Sequence, residues 1–211
     1  MTAILPPRPY RIALTGGSGS GKGFVSSLLR KRGIPCLDTD ALVHRLYEIE
    51  NGELPAAIAA AFGSGVLRNG KVYRPALREI VFGHQESLTH LNRIVHAVVR
   101  EECEKWFAAL NEQGETVAVV DAPQLFETGM EKNFHTVIAV SAPAELRIAR
   151  IMQRDAISQE DAEKRLRNQL SAEEYRQHAD FLLENASDGA ETERALDAIL
   201  RELMKNVPET T

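Results

Sequence analysis

A glycine-rich segment near the start of the chain carries the strongest chemical signal. It reads Thr15-Gly-Gly-Ser-Gly-Ser-Gly-Lys22 and contains the spacing G-x-x-x-x-G-K of a phosphate-binding P-loop, between an apolar run and a helical pattern. Glycines let backbone amides approach phosphate oxygens, the helix start adds a positive dipole, and Lys22 would bridge the β- and γ-phosphates of ATP. A flexible turn is the alternative, but the context favours ATP binding by Gly17, Ser18, Gly19, Ser20, Gly21, Lys22, Gly23 and Phe24.

One position of this loop departs from the motif. Gly23 stands where a serine or threonine normally supplies a hydroxyl to Mg²⁺. Three explanations remain open: Mg²⁺ is held mostly through water, a nearby hydroxyl such as Ser26 or Ser27 takes over, or the protein binds nucleotide but turns over poorly. The departure therefore concerns the metal geometry more than nucleotide binding.

Three aspartates follow predicted strands and are candidates for phosphoryl-transfer chemistry. Asp38 and Asp40 come at the end of the second strand, where a parallel α/β sheet binds its ligands. A carboxylate there can accept or orient the proton of an attacking hydroxyl, or it can cap the helix that begins near Ala41. Asp121 follows the apolar run 117–120 and is a candidate to hold Mg²⁺ through water, with a simple turn as its other interpretation.

Three arginines fall at helical spacing and would share one side of a helix. Arg147, Arg150 and Arg154 have neighbouring acidic residues, and a solvated charged face is the usual meaning of such a run. Phosphoryl transfer, however, needs cations opposite the P-loop lysine. We select Arg150 and Arg154 for that role, with Arg147 in reserve and Arg165 and Gln169 as weaker candidates.

The elements that must position these residues alternate between short apolar strands and helices. This alternation predicts an α/β protein with a P-loop NTPase-type parallel sheet between two layers of helices. The predicted strands are Tyr10–Thr15, residues 34–37, 117–120, 137–140 and 181–183, and helices are predicted at 24–31, 86–111 and 191–205.

Two segments interrupt the alternation. Residues 41–114 are mainly helical, with a turn at residues 68–71, and we interpret them as an inserted substrate domain. Residues 144–178 are helical and strongly charged, which is typical of a mobile lid. The nucleotide-binding core then comprises residues 1–40, 115–143 and 179–211.

Composition limits the partners. A net charge of -5 argues against a broad nucleic-acid-binding face. Cys36 and Cys103 are far apart and indicate reduced thiols. The first residues lack the features of a signal peptide, and no apolar run has the length of a membrane span, so we expect a cytoplasmic protein without membrane contact.

Several further motifs resemble those of dephospho-coenzyme A kinases, in the same order along the chain. The loop is followed by Gly33-Ile-Pro-Cys-Leu-Asp38-Thr-Asp40, which is similar to the opening of that family. The other matching segments are Tyr73-Arg74-Pro-Ala-Leu77-Arg-Glu-Ile-Val81-Phe82, Leu91-Asn92-Arg-Ile94-Val-His96, Val120-Asp121-Ala-Pro123-Gln-Leu125-Phe126-Glu127, Arg150-Ile-Met-Gln-Arg154-Asp155 and Ala179-Asp180 through Asn185.

This resemblance implies transfer of the ATP γ-phosphate, with Mg²⁺, to the ribose 3′-hydroxyl of dephospho-coenzyme A. It implies Asp40 as general base, Asp38 as its partner, substrate contacts by Arg74 and His96, and Asn185 among the ATP-binding residues. The alternatives are another P-loop kinase acting on a nucleoside monophosphate or sugar, and a nucleotide-binding regulator that has lost catalysis.

Overall fold

The computed structural model describes residues 9–186, 189–205 and 207. The chain divides into two compact units, one formed by Met1–Leu37 with Ala109–Thr211 and the other by Asp38–Ala108. Among the described residues, no helix combines the length and the apolar character needed to cross a membrane.

The described strands are short and mostly buried. In chain order they are β1 Tyr10–Thr15, β2 Cys36–Asp38, β3 Leu67–Arg68, β4 Lys71–Val72, β5 Val117–Asp121, β6 Thr136–Ser141 and β7 Phe181–Glu184. The described helices are α1 Lys22–Lys31, α2 Thr39–Glu48, α3 Glu53–Phe62, α4 Arg74–Val81, α5 Gln85–Glu112, α6 Ala144–Asp155, α7 Gln159–Arg167, α8 Ala172–His178 and α9 Gly189–Met204.

A five-stranded sheet with the order β2-β5-β1-β6-β7 forms the centre of the first unit. The pairs β1–β5, β1–β6 and β6–β7 are parallel. All residues of β5 and β6 are buried, which explains the unbroken apolar runs at residues 117–120 and 137–140. The predicted P-loop-type α/β fold class is therefore confirmed.

Helices α1 and α9 share the apolar core of this sheet. Val25, Leu28 and Leu29 of α1 lie in one cluster with Leu196 and Leu203 of α9 and with side chains of β1, β5 and β6. At the end of α1, Arg32 adds ion pairs to Glu193 at 2.9 Å and to Asp197 at 2.8 Å. Apolar burial and these pairs fix the position of α9 along α1.

The predicted second strand differs most from the observed one. Strand β2 begins at Cys36, two residues later than expected, and extends to Asp38. Ile34 is still attached to the preceding helix, since its N–H donates to the carbonyl of Leu29. Pro35 has no N–H to donate to a strand partner. The Pro35 carbonyl still accepts from the Val119 N–H at 2.9 Å, so pairing with β5 begins at this carbonyl and the strand itself at Cys36.

The unit Asp38–Ala108 is helical apart from one hairpin. Strands β3 and β4 pair antiparallel around Asn69 and Gly70, whose φ angles of 53° and 72° are those of a tight hairpin turn. The predicted turn at residues 68–71 is thus confirmed. Leu54, Ile58 and Val66 are completely buried and form part of this unit's own core.

Candidate active site

The phosphate loop leaves the middle strand of the sheet. Strand β1 ends at Thr15, and α1 begins at Lys22 immediately after Gly21. In the register of the sheet, Leu14 of β1 lies opposite Asp121 of β5. The loop and Asp121 therefore emerge together at the carboxyl ends of neighbouring parallel strands, where ligands bind in folds of this type.

Lys22 and Asp121 form the charged centre of this site. The Lys22 Nζ lies 2.6 Å from Asp121 Oδ1, and both side chains are largely buried. The Ser26 hydroxyl donates to Asp121 Oδ2 at 2.8 Å. The Ser27 hydroxyl instead donates to the Phe24 carbonyl in its own helix, at 2.7 Å. Of the two serines considered as replacements for the missing hydroxyl of Gly23, only Ser26 contacts Asp121.

Arg150 and Asn185 hold the carbonyl groups of the loop. Arg150 Nη1 donates to the Gly19 carbonyl at 3.1 Å and to the Ser20 carbonyl at 3.3 Å. The Asn185 carboxamide donates to the Ser20 carbonyl at 2.9 Å. Arg150 also donates to the Asn185 carbonyl at 3.3 Å. The structure thus brings two predicted site residues from distant segments together under the loop.

Arg147 and Gln169 hold the beginning of the loop. Gln169 accepts from the Ser18 N–H at 2.9 Å, and its amide donates to the Ser18 hydroxyl at 3.0 Å. Arg147 donates to the Ser18 carbonyl at 2.9 Å and to Gln169 Oε1 at 3.0 Å. Burial lowers the pKa of Arg147. Arg147, the reserve candidate from the sequence, and Gln169, a weaker one, thus make more direct loop contacts than Arg154.

Two glycines are required by the way the loop is held. Gly21 has φ 88°, and a Cβ there would collide with the Asn185 amide nitrogen. Gly19 has φ 76°, and a Cβ there would press on the backbone of Arg147. Both residues combine a left-handed conformation with a close approach, which other residue types tolerate poorly.

Arg154 and Phe24 lie outside this network of loop contacts. Arg154 Nε donates to Asp155 Oδ1 at 2.7 Å, and Arg165 pairs with the same carboxylate. The hydrogen bonds from Arg154 and then Arg165 hold the pKa of Asp155 well below its usual range. The Phe24 side chain is 39% exposed and its ring lies against Gly189. The structure therefore does not bring Arg154 to the loop as it does Arg150.

The other predicted residues belong to the unit Asp38–Ala108. Asp38 is the N-cap of α2, since its carboxylate accepts from the Ala41 N–H at 2.9 Å, whereas Asp40 is exposed in the first turn of that helix. Arg74 begins α4, with Nη1 3.5 Å from His44 Nδ1. His96 is half-buried in α5, and burial, together with the charge of Arg100, lowers its pKa.

The donor atoms of this site fit Mg²⁺ held largely by phosphates and water. No cluster of three or more His, Cys, Asp or Glu side chains suited to a metal exists within residues 9–186, 189–205 and 207. At the end of β5, next to the loop lysine, lies the Asp121 carboxylate with the Ser26 hydroxyl bound to it. Such a sparse set is typical of Mg²⁺ in nucleotide sites, because this ion keeps several of its waters.

Comparison with known proteins assigns the chain to a family. A family model described as dephospho-CoA kinase matches residues 10–191. The chain belongs to the dephospho-CoA kinase family. A curated dephospho-CoA kinase of Deinococcus radiodurans is 39% identical over 94% of this chain and 94% of its own length.

Solved structures agree with this assignment. A dephospho-CoA kinase from Campylobacter jejuni is 27% identical and superimposes with a TM-score of 0.68, covering 93% of this chain and 98% of that one. A structure from Thermus thermophilus is 36% identical with a TM-score of 0.76, covering 93% of this chain and 99% of its own. The predicted family, and with it the dephospho-CoA kinase activity of the last step of coenzyme A biosynthesis, is confirmed.

Proposed function

We propose that the phosphate loop and Asp40 of this chain carry out the transfer of the ATP γ-phosphate to the ribose 3′-hydroxyl of dephospho-coenzyme A. The observation that carries the proposal is the Lys22–Asp121 pair, 2.6 Å apart at the start of α1. A lysine and a carboxylate in this place are the parts that P-loop enzymes use for nucleotide phosphates and their metal ion. Family membership supplies the acceptor.

ATP binding falls to the loop residues Gly17, Ser18, Gly19, Ser20, Gly21, Lys22, Gly23 and Phe24. The loop's amides and the N-terminus of α1 receive the phosphates, since both present partial positive charge. Lys22 exchanges the Asp121 carboxylate for the β- and γ-phosphates. Asn185 contributes by holding the loop, because its carboxamide is already bound to the Ser20 carbonyl.

Asp121 and Ser26 would hold Mg²⁺ in this site. When bound, the ion supplies neutralisation of negative charge on the phosphate oxygens. Asp121 would hold it through water, and the hydrogen bond from Ser26 fixes the orientation of the carboxylate. Ser26 thereby compensates in part for the hydroxyl that Gly23 lacks.

Asp38 and Asp40 divide two roles between them. Asp38 caps α2 through the Ala41 N–H, which fixes the first turn of the helix. Asp40 lies exposed in that turn. We propose that Asp40 accepts the proton of the attacking 3′-hydroxyl. Asp38 orients the helical turn that carries Asp40.

The arginines supply positive charge as the phosphoryl group is transferred. Arg150 is tied to the Gly19 and Ser20 carbonyls, so it would have to leave these carbonyls to reach a phosphate oxygen. Arg154 would have to exchange Asp155 for a phosphate oxygen. We propose that residues 144–178 act as a lid whose closure makes this exchange and excludes water.

Acceptor binding falls to the helical unit Asp38–Ala108, with Arg74 and His96 as contacts. Arg74 carries a permanent charge suited to a phosphate of the acceptor. The lowered pKa of His96 makes it a neutral hydrogen-bonding group at neutral pH. We place the reaction in the cytoplasm, in keeping with the free cysteines Cys36 and Cys103.

An acceptor panel tests the proposed reaction. Purified protein is incubated with MgATP and either dephospho-coenzyme A, a nucleoside monophosphate or a sugar, and products are identified by mass. We expect phosphorylation of dephospho-coenzyme A alone. Transfer to another acceptor would indicate a different small-molecule kinase, and nucleotide binding without any product would indicate a regulator.

The assignment of Asp40 has its own test. We expect Asp40→Asn to lower kcat by about a hundredfold, the usual contribution of a general base, while the KM of either substrate changes little. Asp38→Asn is the matched control, because asparagine also caps helices well and should retain most of the rate. An unchanged kcat in Asp40→Asn would refute the base assignment.

A further inference from the structure

A buried threonine of α9 lies behind the phosphate loop, and no motif of the sequence pointed to it. Thr192 is completely buried in the first turns of the helix. Its hydroxyl donates to Asn185 Oδ1 at 3.0 Å. Asn185 in turn donates from Nδ2 to the Ser20 carbonyl at 2.9 Å. These contacts form a continuous chain from α9 to the loop.

The hydroxyl determines which way the Asn185 carboxamide faces. The Ser20 carbonyl accepts hydrogen bonds only, so it needs the amide nitrogen of Asn185 rather than its oxygen. With the nitrogen turned to the loop, the amide oxygen is buried on the other side and requires a donor. Thr192 is that donor. Without it, the amide oxygen loses this hydrogen bond, and turning the carboxamide around would set its oxygen against the Ser20 carbonyl.

The carboxamide in turn determines where one loop amide points. The Ser20 carbonyl and the Gly21 N–H belong to the same planar trans peptide, so they face opposite directions. Asn185 and Arg150 hold the carbonyl from one side, at 2.9 Å and 3.3 Å. The Gly21 N–H is consequently directed away from them. This amide is one of those that the P-loop offers to phosphate.

Thr192 is itself held firmly in place. One helical turn later, Leu196 is completely buried in the core of the sheet. Arg32 of the α1 terminus pairs with Glu193 and Asp197 on the same helix. The main-chain N–H of Asn185 donates to Ser141 at the end of β6, at 2.7 Å. Both partners of the Thr192–Asn185 bond are thus anchored to the sheet.

We infer that Thr192 is a positioning residue for nucleotide binding, acting through Asn185 on the Ser20–Gly21 peptide of the phosphate loop. The inference rests on the proposed function of that loop. It extends the functional site to α9, whose sequence around Thr192 is an ordinary charged helix start.

The test compares threonine variants by their affinity for ADP. Thr192→Val keeps the shape and removes the hydroxyl, and we expect it to weaken ADP binding about fivefold, the effect of one lost hydrogen bond. The KM of ATP should rise by a similar factor while the KM of dephospho-coenzyme A stays unchanged. Thr192→Ser restores the donor and should return ADP affinity to within about twofold of wild type.

Thr136→Val is the matched control. Thr136 is also a buried threonine, and its hydroxyl hydrogen-bonds with the Tyr10 hydroxyl at 2.8 Å. Its loss should lower the melting temperature but leave ADP affinity unchanged. If Thr192→Val gives this same pattern, Thr192 serves packing only and the inference is overturned.

A double-mutant cycle separates action through Asn185 from a direct effect. In an Asn185→Ala background, Thr192→Val should cause no further loss of ADP affinity, since the group that it orients is gone. An additive loss would contradict the inference. The Gly21 amide resonance gives a second measure, and we expect Thr192→Val to shift it even without nucleotide.

Failure of the proposed function gives a different result. If wild-type protein binds ADP but transfers no phosphate, the proposed function fails while the threonine series still decides the role of Thr192. If wild-type protein does not bind ADP, both fail.

Discussion

At position 23 the first turn of α1 has a hydrogen atom where P-loops usually carry a hydroxyl-bearing side chain. The structure offers room for that side chain, because a Cβ on Gly23 would meet no atom of the described residues within 4 Å outside its own helix turn. Its backbone is helical, so another residue type would cause no strain. The Ser26 hydroxyl, which donates to Asp121, is the group that we propose as a partial replacement for the missing hydroxyl.

Gly23→Ser should therefore improve the use of Mg²⁺. We expect the Mg²⁺ concentration for half-maximal rate to fall about fivefold, the effect of one added ligand contact. Gly23→Ala is the control, because it adds the same Cβ without a hydroxyl and should leave the Mg²⁺ dependence unchanged. Equal behaviour of the two variants would show that Mg²⁺ in this enzyme does not use that position.

Gly21 should be the least replaceable residue of the loop. A Cβ at this position collides with the Asn185 amide, and the φ of 88° is strained for alanine. We expect Gly21→Ala to reduce ADP affinity more than tenfold in a calorimetric titration.

Gly33→Ala is the control for Gly21→Ala, because it introduces backbone strain without a side-chain collision. Gly33 has a similar φ of 77°, and a Cβ there would meet no atom within 4 Å in the described part of the chain, apart from its chain neighbours. This variant should lose stability while binding ADP normally. If Gly33→Ala and Gly21→Ala have equal ADP affinity, collision with Asn185 is not what makes Gly21 necessary.

At the scale of elements, His135 joins β6 to the edge of β1. The main-chain N–H of Arg11 donates to His135 Nδ1 at 2.8 Å, and the imidazole stacks on Tyr10. A nitrogen that accepts this bond must be unprotonated. Burial, aided by the charge of Arg11, lowers the pKa of His135 from its ordinary value of 6.5.

This depressed pKa predicts a loss of stability in acid. The unfolded chain binds a proton at His135 more readily than the folded one, so stability is retained above the ordinary histidine pKa and is lost as pH falls below it. We expect the melting temperature to fall between pH 7.5 and pH 5.5. In His135→Asn, the amide oxygen can accept from Arg11 without titrating, and the decrease should be smaller. An identical decrease in both proteins would assign it to other groups, such as His96.

The charged segment 144–178 shows how far element-level prediction extends. Its composition predicts helices, and the starts of two of them follow local sequence signals. Ser158 is the N-cap of α7, and Ser171 forms a capping box at α8. The contacts of this segment with the phosphate loop cannot be predicted from the sequence. Gln169 reaches Ser18 across 151 residues of chain, a distance at which sequence spacing carries no information.

Across the whole molecule, local sequence patterns predicted the loop and the strands beside it. They did not predict all of the residues that hold the loop in position. The glycine spacing located the loop between β1 and α1, and the buried run before Asp121 marked the end of β5. Thr192 gave no such signal and Arg147 only a weak one, because their importance depends on which distant groups the fold brings beside them. Pro35 shows the reverse case. Because a proline has no N–H to donate, the sequence itself indicates that strand pairing is incomplete before Cys36, although the apolar run begins at Ile34.

The central claim is that this phosphate loop transfers the γ-phosphate of ATP to the 3′-hydroxyl of dephospho-coenzyme A. The most direct measurement uses MgATP with an oxygen-18-labelled γ-phosphate and locates the label in the product by tandem mass spectrometry. We predict labelled phosphate on the ribose 3′-oxygen with wild-type protein, and almost none with Lys22→Ala, whose fold should be unaffected. Absence of labelled product from the wild type at any Mg²⁺ concentration, or an equal rate in Lys22→Ala, would contradict the account.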